Sequence, residues 1–462
     1  EYYQALYEKA ERRLLKVRET VFRDGDGYQQ SMWLGVAGSV RWGMGRFPEA
    51  MNDFTQQAEL LASMDDPYEE AVARSNVALL AARLNPAPYT ESSRRRLTGL
   101  IEKARDTAIQ GGNRAVEGKS ELYLGQIVPG IEARRNHLER GLLLCEKIGD
   151  LENASLASRL LAESLVMADP RDPDRGLAVL DKAVTIAASL SSPQITARTR
   201  IIQATLQWEL LRRGDQGPAN RDEAVRLSLS ALDAIEAIRD SQTGGTIRAR
   251  TFSPFAFQYT VFIGNLLWPK EETPAPEDLD LAYRVAERMR AQILLEELDV
   301  ADAGREPEQI PWSLVAGIDR IGERLQEDEA ILSFVLAKEG KENVFMGGSW
   351  LMVLSRSGSE VYSLPPTREI QGTLDLTLGA IRNRDGSETA GLQRLRQDLL
   401  ETALADLPES VDHLIIVPDG PLHRLPFGAL AGDRYRVSQS PSVAAWLHWT
   451  MENAGPAGRP VS

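Results

Sequence analysis

The chain has 462 residues, more than one ordinary domain holds, so two or three domains are expected. Hydrophobic residues make up 43% and charged residues 26%, an ordinary balance for a soluble globular protein. The 53 basic residues stand against 67 acidic ones, and the resulting net charge of −14 argues against a nucleic-acid-binding surface, which needs a positive face.

The basic runs Arg94-Arg95-Arg96 and Arg134-Arg135 read as solvated helix faces. No apolar stretch approaches the roughly 18–20 residues that cross a bilayer, so no membrane partner is expected. The single cysteine, Cys145, excludes an intrachain disulfide and fits a reducing, cytoplasmic setting.

Residues 1–300 are rich in Ala, Leu, Arg and Glu, with Gly- and Asp-containing breaks recurring every 35–50 residues or so, the range of helical-hairpin arrays. The clearest unit is SMWLGVAGSVRWGMGRFPEAMNDFTQQAELLASM, residues 31–64. Gly38 stands where one helix must let its neighbour approach, and Gly45 lies in the turn. Ala50, Phe54 and Ala58 then fall four apart on one face of the second helix. This small-then-aromatic spacing resembles the tetratricopeptide (TPR) motif. A second unit runs from ELYLGQI (121–127) to the helix carrying His137, Leu138 and Cys145, and further units begin near Ser155 and Thr196. One hairpin cannot bury its apolar face alone, so stacking into a solenoid is expected.

The last helix of this region is LDLAYRVAERMRAQILLEEL, residues 279–298. Ala282, Val285, Met289 and Ile293 form its apolar stripe, with Arg and Glu between them. A polar stretch with Gly304, Pro307 and Pro311 follows, and residues 301–327 read as a linker. From residue 328 the texture changes to short strands: AILSFVLA (330–337), SWLMVLSR (349–356) and EVYSLP (360–365). A helix is expected from Leu392 to Leu404, and then HLIIVPDGPLHRLPFGAL, residues 413–430. Here the buried-strand run Leu414–Val417 is broken by Pro418-Asp419-Gly420. The patch Leu422, Leu425, Phe427 and Leu430 comes next, with His423 and Pro426 inside it. Strands alternating with helices predict an α/β domain over 328–462.

The 413–430 segment resembles the N-terminal half of a CHAT domain, the caspase-like cysteine peptidase module found behind TPR arrays. The 279–298 helix is similar to the one that closes many such arrays. The resemblance covers roughly residues 279–450 and implies an α-helical TPR-like solenoid followed by a partial α/β caspase-like (CHAT) domain. Caspase-like catalysis pairs a thiolate with a histidine. In the CHAT family both follow the region matched here, so no catalytic residue is expected in this chain, and the His and Cys are expected beyond Ser462. Within the motif, the resemblance gives Pro418, Asp419, Gly420, His423 and Pro426 structural roles. A His423 ring nitrogen would bond the turn or nearby backbone, and the Asp419 side chain would accept backbone N–H groups in the turn.

The other candidates for chemistry dissolve on inspection. Cys145, between Leu144 and Glu146, reads as a small buried apolar residue. His413 opens a strand, and His448 between Trp446 and Trp449 reads as a packed helix face. GGNRAVEGKS (111–120) ends like a phosphate loop but has the wrong glycine spacing and a helix-to-helix setting. DGDGYQ (24–29) opens like a calcium loop, yet Gly27 and Gln29 break it and Gly35 stands at the closing carboxylate position. No HExxH, CxxC or GxSxG is present, and no metal or cofactor is expected.

Two functional readings follow. In the first, the solenoid docks or senses a protein partner on its concave face and the complete CHAT domain cleaves a protein substrate. In some bacterial defence systems that substrate is a pore-forming gasdermin-like protein. In the second, the chain is a non-catalytic TPR scaffold with a degenerate or incomplete CHAT domain. A processed large fragment of a peptidase is a third option, with ENAGPAGRPVS (452–462) as a loop or cleavage zone.

Overall fold

The computed structural model describes residues 2–214, 220–240, 255–268, 273–301, 316–337, 347–383 and 386–453. The chain divides into two compact units, Glu1–Ala231 and Leu232–Ser462. The division falls inside one helix, earlier than the linker expected at 301–327. Most of that linker, 302–315, lies outside the described residues.

The first unit is helical throughout its described residues. Its helices are α1 (Tyr2–Asp24), α2 (Gly27–Gly43), α3 (Phe47–Ser63), α4 (Pro67–Leu84), α5 (Glu91–Gly111), α6 (Arg114–Ile127), α7 (Ile131–Ile148), α8 (Leu151–Met167), α9 (Pro173–Ser189) and α10 (Pro193–Arg212). The first part of α11 (Arg221–Asp240) completes it. Local chemistry sets the boundaries. Asp26, Asp66, Thr90, Asn113, Asp150, Asp172 and Ser192 each cap the helix that follows by accepting a backbone N–H three residues on. Gly112 and Gly149, both at φ +72°, end α5 and α7 in the left-handed conformation.

Each helix packs on the next. The even-numbered helices also touch one another, α4 on α6, α6 on α8 and α8 on α10, so they form a layer of their own. The result is a repeat solenoid whose even-numbered helices begin at 27, 67, 114, 151 and 193. In the 31–64 unit, Ala50, Phe54 and Ala58 are buried. A Cβ on Gly38 would lie 2.9 Å from the Phe54 ring, which is why glycine is required there. The α4–α5 hairpin has no counterpart in the sequence reading. Helix α4 is enclosed by neighbours, with Ala71, Ala73, Ser75, Ala78, Leu80 and Ala81 all buried, so it lacks the one-sided pattern that periodicity detects.

The second unit opens with the rest of α11. It continues through α12 (Phe257–Leu266), α13 (Pro276–Ala301) and α14 (Ile318–Gly322) into an α/β region. Strands β1 (Glu329–Val335), β2 (Ser349–Ser355), β3 (Gly358–Leu364), β4 (His413–Val417) and β5 (Arg436–Gln439) form one mixed sheet in the order β3-β2-β1-β4-β5. β1 is central, antiparallel to β2 and parallel to β4, and β5 extends the parallel part. The four strands expected from the sequence are present. The short β5, exposed at the sheet edge, and the helix α15 (Thr367–Asn383) are additions.

The helix expected over 392–404 is two helices, α16 (Glu388–Leu399) and α17 (Glu401–Asp406). The chain leaves helical geometry at Leu400 (φ −130°, ψ −30°), and this bend lets the adjacent Leu399 and Leu400 both enter the core.

Because side chains alternate along a strand, the buried sheet has two faces. Ala330, Leu332, Phe334, Leu351, Val353, Leu414 and Ile416 point one way, into a core with Ile370, Leu374, Leu395, Leu399 and Leu404 from α15–α17. The other face carries Ile331, Ser333, Val335, Met352, Ile415 and Val417, all buried. Helix α13 lies there. On it Ala282, Val285 and Met289 are buried as expected, and the side chain of Ile293 lies outside the described residues.

Ile416 sits in the middle of this core and is fully buried. An aspartate there would place a carboxylate among apolar side chains with no partner, at a cost of several kcal/mol. Ile416→Asp is expected to abolish protection of the 329–335 and 413–417 amides in peptide-resolved hydrogen exchange. The amides of α4–α8 should keep theirs, and unchanged protection in both strands would refute this placement of β4.

Candidate functional site

The 413–430 segment builds a corner of the sheet. Four consecutive buried residues, Leu414–Val417, carry β4 between β1 and β5, and Pro418 is buried at its end. Asp419 then does something the local pattern did not reveal. Its carboxylate makes no cap on its own turn. Instead Oδ2 accepts the Leu336 backbone N–H at 2.7 Å, just past the end of β1. It therefore joins the ends of two parallel neighbours. Gly420, at φ +51°, starts a short 3-10 turn, Gly420–Arg424.

From that turn Leu422, Leu425, Phe427 and Leu430 point into the core. The last two belong to α18 (Phe427–Ala431), and the Phe427 ring lies 5.4 Å from that of Phe334. His423 and Pro426 are exposed. Among the described residues the His423 ring makes no hydrogen bond to the turn, so the bond expected of it is not formed. The neighbouring Arg424 pairs with Asp375 on α15.

The remaining histidines are spread out. His413 bridges three strands, with Nδ1 3.3 Å from Glu329 on β1 and Nε2 3.0 Å from Ser438 on β5. His448 is exposed on α19 (Val443–Asn453), where Trp446 is buried and Trp449 is half-exposed. Cys145 belongs to the first unit. It is buried beside Gly118, and burial, then the charge of Asp150, push its thiol up to about 11. Among the described residues no three His, Cys, Asp or Glu side chains gather in a metal-binding group. Likewise, no described helix is long and apolar enough to cross a membrane. The two sequence decoys resolve as helix ends, with Asn113 capping α6 and Asp26 forming a capping box with Gln29 on α2.

One charged cluster escaped the sequence reading. The Arg and Glu between the apolar positions of α13 look like a solvated face, yet Glu287, Arg288 and Arg290 are buried. Arg290 pairs with Glu287, donates to Ser333 Oγ at 2.9 Å and also bonds the Phe334 carbonyl. The second Glu287 oxygen accepts the Ala444 N–H at 2.9 Å, in the first turn of α19. Arg288 pairs with Glu236 and Asp233, and Tyr259 on α12 donates to Glu236 at 2.7 Å. Burial opposes the Arg288 charge, but Glu236 and then Asp233 outweigh it and raise the guanidinium above its ordinary value.

The first unit presents a different surface. Counting from each helix start, positions two, six and ten of the even-numbered helices all stay at least partly accessible. On α2 these are Tyr28, Met32 and Val36, and on α4 they begin with Tyr68 and Val72, all exposed. On α6 they include Lys119 and Tyr123, on α8 Glu152, Leu156 and Leu160, and on α10 Gln194 and Arg198. The stripe is apolar on α2 and mixed farther on, where Lys119 and Arg198 stand among Glu152, Leu156 and Leu160.

No family model matches the chain, and no curated protein matches it. Among solved structures it is similar to a signal transduction ATPase with numerous domains (STAND) protein with a tetratricopeptide repeat sensor from Pyrococcus horikoshii. That match has 18% identity and a TM-score of 0.43, and covers 52% of this chain and 36% of that one. This chain thus spans little more than a third of that protein's length. It is also similar to a circular tandem repeat protein with novel repeat topology and enhanced subunit contact surfaces, at 15% identity and a TM-score of 0.24. Here 64% of this chain and 81% of that one are covered. At these scores neither likeness decides the fold.

The geometry assigns unequal weight to the two polar residues of the motif. Asp419→Ala would strand the buried Leu336 N–H, a loss of about 1–3 kcal/mol. His423→Ala, at an exposed position, should fall within about 0.5 kcal/mol of the parent. Urea titrations of the second unit's unfolding check both. Equal effects would remove the strand-end role given to Asp419.

Proposed function

We propose that the first unit is a protein-docking arm and that the second is an α/β module attached to it. The single observation that carries this reading is the accessible stripe repeated at positions two, six and ten of successive even-numbered helices. A helix layer packed on both sides has no structural need for Tyr28, Met32, Val36, Tyr68 and Val72 in solvent. Apolar side chains aligned across neighbouring repeats suit an extended or helical protein segment. The stripe would form the concave face of the array, and the partner would be a protein.

The finer peptidase reading for the second unit rests on the resemblance of the 413–430 segment to a CHAT domain. That segment forms a buried strand beside the central β1, with its turn tied to the end of that strand by Asp419, and this is compatible with the reading. On this reading the first unit forms the arm, and residues 328–462 belong to the first half of a caspase-like domain. A thiolate and a histidine outside this sequence would attack the scissile carbonyl and protonate the leaving amine. The scaffold reading needs only the arm.

Two measurements test the pair. A photo-crosslinking residue at position 72 on α4 should capture a protein in cells, while one at the exposed position 59 on α3 should not. Equal capture from both would overturn the docking arm. The intact mass of the natively expressed polypeptide, with its C-terminal peptide sequenced, addresses the peptidase. A mass well above 51.1 kDa with a His and a Cys in the added residues supports it. A mass of 51.1 kDa with no co-purifying Cys-bearing fragment favours the scaffold.

A further inference from the structure

Between α8 and α10 the accessible stripe opens into a pocket of about 320 Å³. Its walls carry Arg159 and Arg198, with Asn153, Gln194, Leu156 and Ile195 around them. The two guanidinium groups belong to adjacent even-numbered helices and face one cavity. Among the described residues neither forms an ion pair, and Arg159 Nε is buried without a hydrogen-bond partner. Glu152 lines the same pocket without pairing with either. Glu163 lies one turn beyond Arg159 on α8, outside the pocket lining. Burial, and then the charge of Arg198, pull the Arg159 guanidinium down to about 10, with Glu163 acting in the opposite direction.

Holding a half-buried cation beside a second one costs stability, and Glu163 offsets that cost only in part, since it forms no ion pair with Arg159 and the guanidinium still lies below its ordinary value. Elsewhere in this chain the contrast is plain. Arg41 pairs with Asp53, Arg74 with Glu70 and Arg212 with Glu209. Only a local effect could draw an anion here, since the chain as a whole carries −14.

We propose that this pocket seats the carboxylate of an acidic side chain from the protein segment docked along the stripe. The inference rests on the docking-arm reading and names the chemistry of its partner. Arginine's planar fork matches a carboxylate in two-point fashion. Leu156 and Ile195 suit the methylene stem of a glutamate, and the Asn153 and Gln194 amides suit the backbone on either side. The apolar residues of α2 and α4 would take the apolar part of the same segment, so the partner is an amphipathic segment with acid at one end.

The test uses the full chain and a short labelled peptide of alternating glutamate and alanine, with its glutamine twin, read by fluorescence anisotropy. The glutamate peptide should bind about ten-fold tighter than the twin, as one charge-assisted pair allows. Arg159→Gln and Arg198→Gln should each remove most of that preference, while Arg95→Gln, on the exposed face of α5, should leave it intact. Arg159→Gln takes a cation away from the buried Glu163, so its melting temperature is read alongside its binding. The exposed Arg198 provides a second variant that does not disturb packing.

Equal affinity for both peptides, with crosslinking at position 72 still seen, overturns the acidic subsite and leaves the docking arm standing. Loss of crosslinking as well brings down the arm itself. Inorganic phosphate that raises the melting temperature through both arginines as strongly as the peptide does would make this a free-anion site and overturn the protein segment.

Discussion

The buried pair Glu287–Arg290 holds the second unit together. Its two side chains are 1% and 6% exposed, and between them they bond a helix, a central strand and the start of another helix. Each acceptor of the pair is used. Glu287 takes Arg290 with one oxygen and the first turn of α19 with the other, where the helix's positive end favours a carboxylate. Two ions brought out of water gain stability only when their remaining hydrogen-bonding groups find partners, and here nearly all do, Arg290 Nε excepted. Removing one partner would leave the other charge stranded, at about 3–5 kcal/mol. The pair therefore specifies which way α13 faces the sheet, because no other rotation of that helix delivers the guanidinium to Ser333 and the Phe334 carbonyl.

Much of this architecture was legible in the residues. The strands of the second unit announced themselves as short apolar runs, since a sheet covered on both faces leaves no alternation to decipher. The 31–64 hairpin was legible through Gly38 and Phe54, whose close contact needs a missing side chain. Other elements were hidden for definable reasons. Helix α4 is enclosed by its neighbours, so its buried positions run around the helix and no stripe emerges. β5 is brief and exposed, with Arg436, Ser438 and Gln439 in solvent, and carries no strand-like pattern. The charges of α13 follow the same spacing as a solvated face, and composition cannot distinguish Arg290 from an exposed arginine. Only the position of Ser333 forty-three residues later does so. At the candidate sites, Asp419 was visible as a turn residue. Its partner Leu336 was not, because nothing in a local motif points eighty-three residues back.

Both units match their buried charges, as Arg41 with Asp53 in the first and Arg290 with Glu287 in the second. In the first, side chains left accessible also repeat at fixed positions of the even-numbered helices. An array of this type presents its neighbours' side chains at regular intervals. Changing one hairpin alters one segment of the surface and spares the others. Met32 and Val72 mark one stretch of that surface, and the Arg159–Arg198 pocket between α8 and α10 another.

The parallel pairing of β1 with β4 also governs how the molecule is made. Glu329 meets His413 across the sheet, so the central ladder closes only after the intervening chain, with β2, β3 and three helices, has been synthesised. Each hairpin of the first unit, by contrast, finds its partner within a few dozen residues. Contacts distant in sequence slow folding, and local ones speed it. The array would thus be structured on the ribosome while β1 still waits, its hydrophobic edge open, for the strand that ends in Asp419.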